Sequence, residues 1–311
     1  MMNSVSRRQF CRSVVAGSAA VALGPACSGK KPKKNTFALR YALASSMYGK
    51  TKLARILPEV KKSGADSIDL WPIPHGNQRE QLEEIGHELF AESLEAHGIR
   101  LGILTCYMSG PHGLAGEMVV AEKLGGTMLI SGSAAGKDLE GAELKSAVRK
   151  FVDSMAPHVA EAEKHGITIG IENHSGQVLA TPDAIRWFGE FAEARNLGVA
   201  LAPYHLPQDP QLLANLVEEL GPNLVHFYAW QHGKGCSKKL PKEEELEQMP
   251  GRGDLDFKPI LEALKKIEYA GWTEVFMHPV PRGIPILEPT EKVTDEINRS
   301  RRYLDGIVTA I

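Results

Sequence analysis

Four short stretches of this chain end apolar runs on side chains that can hold or move protons. They read Gly170-Ile171-Glu172-Asn173-His174, Ala202-Pro203-Tyr204-His205, His226-Phe227-Tyr228-Ala229-Trp230 and Phe276-Met277-His278-Pro279. Glu172 directly follows Ile-Gly-Ile, and a carboxylate at the end of a buried run needs a metal, a cation or a proton. His278 supplies an imidazole, whose ordinary pKa of about 6.5 suits an opposing acid or base at neutral pH. Glu172, His205, His226 and His278 are also candidate ligands for a divalent metal, because imidazole and carboxylate together suit Zn, Co, Ni or Mn. Alternation along a strand puts His226 and Tyr228 on the same side, so both can point inward. Asn173 and His174 adjoin the carboxyl and are candidates for holding a ligand's oxygens. Tyr228 can donate to an oxygen on which charge develops, and Tyr48, Trp71 and Trp230 offer flat faces for stacking. His87, His97, His158 and His165 fall on helical segments and read as solvent-facing or structural, and Cys106 and Cys236 read as incidental.

Those stretches are brought together by a repeating order of elements. From residue 37 the chain alternates short apolar runs with longer segments of helical period, the pattern of a parallel sheet covered by helices. Strands are expected at 37–45, 66–72, 99–106, 127–133, 167–173, 197–203, 223–229 and 272–278. Helices are expected at 51–63, 78–97, 114–125, 141–165, 182–195, 209–220, 257–270 and 290–310. Glycines 64, 98, 166, 221 and 271 stand where helices should stop, and Thr181-Pro182 and Asp256 where helices should start. Eight such pairs in about 275 residues match the α/β architecture of a (βα)₈ TIM barrel, with an open α/β sheet as the alternative. In that barrel the C-terminal strand ends form one rim, where polar residues carry most weight. No GxGxxG or GxxxxGK[ST] follows the first strand, so no nucleotide cofactor is expected.

At this point the body of the chain, 37–311, resembles the xylose isomerase-like barrels of the sugar isomerase and epimerase superfamily. The markers are Ile171-Glu172-Asn173-His174, Pro203-Tyr204-His205, His226-Phe227-Tyr228 and Pro250-Gly251-Arg252-Gly253-Asp254-Leu255-Asp256-Phe257. The resemblance implies a divalent metal on a strand-five Glu, a strand-six Asp, a strand-seven His and a strand-eight Glu, with the two Glu shuttling a proton beside a carbonyl. Only the first is present, at Glu172; the others fall on Ala202, Tyr228 and His278. It further implies that His205 and Arg252 bind substrate oxygens. The expected function is therefore an enzyme acting on a small carbohydrate-like carbonyl compound by isomerisation, epimerisation or elimination. The alternative is a degenerate barrel that binds a carbohydrate without turnover. The segment 232–255 is expected to form a polar flap over the site, because Gly233-Lys234-Gly235 and Glu243-Glu244-Glu245 resist burial.

The chain's 36 basic and 38 acidic residues give a net charge of −2. A mildly acidic body without a long Lys/Arg run does not match the footprint of a phosphate-backbone binder, so nucleic acid is not expected as a partner. Residues 1–27 resemble a twin-arginine export signal: Ser6-Arg7-Arg8-Gln9-Phe10 precedes an alanine-rich apolar run, Val14–Leu23. That run is about half the length needed to span a bilayer. Export to the periplasm or envelope is the expected address. Membrane contact is expected only through a lipid on Cys27, and the Lys-rich 28–36 reads as a linker. The sequence does not specify an oligomeric state.

Overall fold

The computed structural model describes residues 37–136 and 138–311. The expected export signal and linker lie outside the described residues. From Phe37 onward, strand and helix alternate in the order that the apolar patterning implies. The first half holds β1 (Arg40–Ala44), α1 (Leu53–Lys62), β2 (Ser67–Leu70), α2 (Gln78–Ile85), α3 (His87–Ala96), β3 (Arg100–Thr105), α4 (Ala115–Lys123) and β4 (Met128–Gly132). It continues with α5 (Gly141–Lys164), β5 (Thr168–Glu172), α6 (Pro182–Phe191), β6 (Leu197–Leu201), α7 (Pro210–Leu220) and β7 (Leu224–Ala229). The last elements are α8 (Lys242–Glu245), α9 (Lys258–Lys266), β8 (Trp272–Val275) and α10 (Thr290–Ala310). The eight strands pair in sequence order, all parallel, and β8 returns to β1 to close the barrel.

Local chemistry accounts for the boundaries. Thr181 accepts from Ala184 N at 3.2 Å, and Asp209 from Gln211 N at 2.9 Å, capping α6 and α7 ahead of their first-turn prolines. The expected helix 78–97 divides at Gly86, whose φ of +86° is left-handed and ends α2 before α3 begins. The expected eighth strand also stops early, at Val275: Phe276 still donates to Ala229 O, but Met277 N turns to Met47 Sδ. His278 therefore stands on a loop above the sheet.

Strands β2, β4 and β6 are buried along their whole length, as a sheet covered on both faces requires. The barrel interior nevertheless carries polar groups. Asp69, Glu274, His226 and Tyr228 are all at most 1% exposed. Thr105 Oγ1 donates to Asp69 Oδ2 at 2.7 Å, and His226 Nε2 faces Glu274 Oε2 at 3.8 Å. Burial, then the charges of Asp69 and Glu172, raises the pKa of the Glu274 carboxyl well above the usual range, and burial also raises that of Asp69. Among the described residues no helix is long and apolar enough to cross a membrane.

Candidate active site

The C-terminal ends of the strands enclose a cavity of about 380 Å³. His75 and Tyr107 reach it from the loops after β2 and β3. Glu172, His174, Ser175 and Gln177 come from β5 and its loop, and Tyr204 and His205 from the turn after β6. Trp230, Cys236 and Ser237 follow β7; His278 and Arg282 follow β8. Gln177 is held across the β4 end by accepting from Ser133 N at 2.6 Å, a path open only because Gly132 has no side chain: a Cβ there would meet Gln177 Nε2 at 2.6 Å.

Four imidazoles pack in two pairs. His75 stacks on His278 with centroids 4.2 Å apart, and His174 packs tilted on His205 at 4.1 Å. Trp230 stands between the pairs, edge-on to His205 at 5.3 Å and to His278 at 5.2 Å, and stacks on Tyr204 at 4.0 Å. His205 Nε2 lies 3.7 Å from Glu172 Oε1 and has no hydrogen-bond partner. That spacing is slightly beyond a hydrogen bond, so the carboxyl and the imidazole face the cavity as separate groups.

Burial pushes the Glu172 carboxyl up to about 8. Burial, reinforced by His174 and His232, pushes His205 down to about 3. His75 falls to about 4 through burial, then the charge of Arg282, and His278 is lowered well below 6.5 by burial, then His75 and Arg282. Near pH 7 the cavity therefore presents a carboxyl mainly in its acid form beside the neutral imidazoles of His75, His205 and His278, each able to donate from one nitrogen and accept at the other.

A buried glutamine positions two of these groups. Gln248 Oε1 accepts from Trp230 Nε1 at 3.1 Å and from His278 N at 3.2 Å, while its Nε2 donates to His278 O at 3.0 Å. Segment 232–255 is thus only partly the polar flap that its composition suggests. Cys236 and Ser237 do face the cavity, but Glu245 is 2% exposed, ion-paired to Lys242 at 2.6 Å, and Gln248 is fully buried.

The structure brings together Glu172, His174, His205, Trp230 and His278 from the residues singled out in the sequence. It places the others elsewhere. Arg252 does not line the cavity: its Nε and Nη2 donate to the two carboxylate oxygens of Glu296 on α10, at 2.7 and 2.6 Å. Asn173 is taken up in a reciprocal pair with the Ala202 backbone, at 2.7 and 3.0 Å, which ties β5 to β6. Trp71 is buried behind the cavity, stacked on Phe276 at 5.0 Å, and Tyr48 bonds Thr294 Oγ1 at 3.0 Å. Tyr228 and His226 lie together inside the barrel, ring centroids 4.3 Å apart. His75, Tyr107, Ser175, Gln177, Tyr204, Cys236, Ser237 and Arg282 were not singled out as site residues, although His75 closely follows an apolar strand in the same manner as His174 and His205.

The candidate metal set does not assemble. His226 turns to Glu274 in the interior, His278 pairs with His75, and Glu172 faces His205 at 3.7 Å. Among the described residues no three His, Cys, Asp or Glu side chains group so as to hold a metal ion. A three- or four-donor ion site does not fit this arrangement.

The family described as xylose isomerase-like TIM barrel matches residues 57–303. Among curated proteins none matches the chain in sequence. Among solved structures, the IolI protein with a binding zinc atom superposes with a TM-score of 0.67 at 16% identity, covering 88% of this chain and 99% of that one. D-psicose 3-epimerase with D-tagatose from Clostridium cellulolyticum H10 gives 0.65 at 15% identity, over 87% and 99% of the two chains. The probable 3-DHS dehydratase AsbF involved in petrobactin synthesis, from Bacillus anthracis, gives 0.63 at 11% identity, over 86% and 99%.

Proposed function

Because the chain belongs to the xylose isomerase-like TIM barrel family, we propose that it is a sugar isomerase/epimerase-like enzyme that transfers a proton at the carbon next to a carbonyl. Its substrate is a small sugar or keto-sugar derivative. The observation that carries this reading is the buried Glu172 carboxyl, 3.7 Å from the unpartnered His205 Nε2, at the wall of the cavity. A group that takes a proton from carbon and returns it must exchange both forms near working pH, and a carboxyl pushed to about 8 does so.

In this scheme Glu172 is the base, and His278, on the loop after β8, is the opposing group, a neutral imidazole in its base form near pH 7. His205 and His174 hold the carbonyl and hydroxyl oxygens through their ring N–H groups, and the Trp230 edge fixes the plane of the sugar between the two histidine pairs. Elimination begins with the same abstraction, so a neighbouring leaving group would divert the intermediate to that outcome. Export through the twin-arginine route, with a lipid on Cys27, belongs to the same proposal and rests on the pattern of residues 6–27.

The test is incorporation of solvent deuterium next to the carbonyl in a panel of ketoses and aldoses. Wild type should exchange, and Glu172→Gln should exchange about 10²–10⁴-fold more slowly. Binding without any exchange, equal in both proteins, would instead favour a barrel that holds a carbohydrate without turning it over.

A further inference from the structure

We infer that the cavity selects acidic sugar derivatives, binding a single substrate carboxylate through the guanidinium of Arg282. The inference rests on the reading of the cavity as a sugar site and adds the chemical class of the substrate. Arg282 lies between β8 and α10 and lines the cavity. Its guanidinium is anchored by two bonds: Nη1 donates to Pro279 O at 2.7 Å and Nη2 to Cys236 Sγ at 3.0 Å. Neither acceptor is a carboxylate, and among the described residues no Asp or Glu oxygen lies within 4.0 Å of the guanidinium.

An arginine drawn into a pocket normally brings its own counter-ion, because an unpaired, partly desolvated cation is costly. Arg252, on the same rim but outside the cavity, follows that rule with Glu296 at 2.6 Å. Arg282 does not. The one carboxyl in the cavity lining is Glu172, which burial keeps mainly in its acid form near neutrality. The charge of Arg282 is instead felt by the rings of His75 and His278, whose protonated forms it disfavours.

A cavity with the fixed positive charge of Arg282 and walls of imidazole and hydroxyl groups is complementary to an anion surrounded by hydroxyl groups. The planar fork matches a carboxylate in shape as well as sign. A phosphoryl group, at about −1.5 to −2, would leave part of its charge unmet, since no lysine or second arginine lines the cavity.

Calorimetric titration of the full chain with D-glucuronate, D-glucose and D-glucose 6-phosphate tests this. Glucuronate should bind at least about tenfold more tightly than glucose, the scale of one charge-assisted contact. The preference should shrink as salt is raised, vanish in Arg282→Gln and survive in part in Arg282→Lys, which keeps the charge without the fork. If Arg282→Gln fails to fold, the salt dependence and the lysine variant carry the test. Equal binding of glucuronate and glucose by wild type, or a preference retained in Arg282→Gln, overturns the inference. So does tighter binding of glucose 6-phosphate than of glucuronate. Deuterium exchange reports separately on the proton transfer: an Arg282-dependent preference without exchange keeps the anion site and removes the isomerase reading. Exchange with no preference does the reverse.

Discussion

Glu172 is the residue at which stability and chemistry oppose each other. In the unfolded chain its carboxyl ionises near 4.5, whereas in the folded protein it holds its proton until about 8. Between those two pH values the folded state binds the extra proton, so stability is fully present below 4.5, falls as pH rises, and levels off beyond 8. The interval corresponds to a ceiling of about 5 kcal/mol. A carboxamide is nearly isosteric with the protonated acid and never ionises, so Glu172→Gln should lose turnover yet melt higher than wild type. The gain should be negligible at pH 4.5 and largest near pH 8, read by thermal denaturation of both proteins across that range. An identical melting difference at every pH would show that the carboxyl is not held protonated by the fold. Glu172 was legible because a charged residue ends an Ile-Gly-Ile run, a conflict visible in one dimension. The placement of Arg252 is not legible for the opposite reason: its partner Glu296 lies on α10, 44 residues away, and local spacing carries no trace of that ion pair. Asn173 and Trp71 have suitable chemistry at suitable strand ends, but whether such a side chain turns to the cavity or to its neighbours is settled by packing.

The strand and helix periods are readable because the strands are short runs of mostly buried residues and helices such as α1, α6 and α9 bury one face, signals that depend only on neighbours in sequence. The β7 to α9 connection is not, since its composition is polar while its function is to be partly buried. Gln248 illustrates the difference: an amide in an acidic stretch, it is completely buried and serves three groups of Trp230 and His278 at once. Replacing it with Ala leaves the Trp230 N–H and both backbone groups of His278 without partners, at about 1–3 kcal/mol for each that water cannot reach. Gln248→Ala should therefore lower the melting temperature by several degrees. It should also cut kcat/KM more strongly than that loss of stability accounts for when assayed well below the melting range. The Trp230 indole N–H resonance should shift upfield as its hydrogen bond is lost. A variant that melts lower but keeps its kcat/KM and its indole resonance would confine Gln248 to scaffold duty.

Across the whole molecule, the buried ionisable groups divide into two opposed sets whose balance sets the pH of greatest stability. His205 and His226 are pushed down to about 3, His75 to about 4, and His278 well below 6.5, all chiefly by burial. Their unfolded forms take up protons as pH falls through 6.5 while the folded forms do not, so their contribution is present above 6.5 and lost below it. Asp69, Glu172 and Glu274 are raised by burial and act in the other sense, weakening the fold as pH rises above the ordinary carboxylate range. Below 6.5 the four imidazoles outnumber the three carboxyls, so stability climbs with pH. Above 6.5 the imidazoles are neutral in both states and only the carboxyls still act, so stability declines, at roughly 1.4 kcal/mol per pH unit for each carboxyl still protonated in the fold alone. Melting temperature should accordingly peak near pH 6.5 and drop toward pH 8.5, an earlier alkaline decline than surface ion pairs would produce. Glu274→Gln should flatten the alkaline limb and steepen the acid one between about pH 4.5 and 6.5, because it removes one of the three carboxyls that oppose the imidazoles there. Scanning calorimetry of both proteins from pH 4.5 to 9 at constant ionic strength decides it. A wild-type plateau from 6.5 to 8.5 would mean that the interior carboxyls ionise without penalty, as they can beside a bound cation.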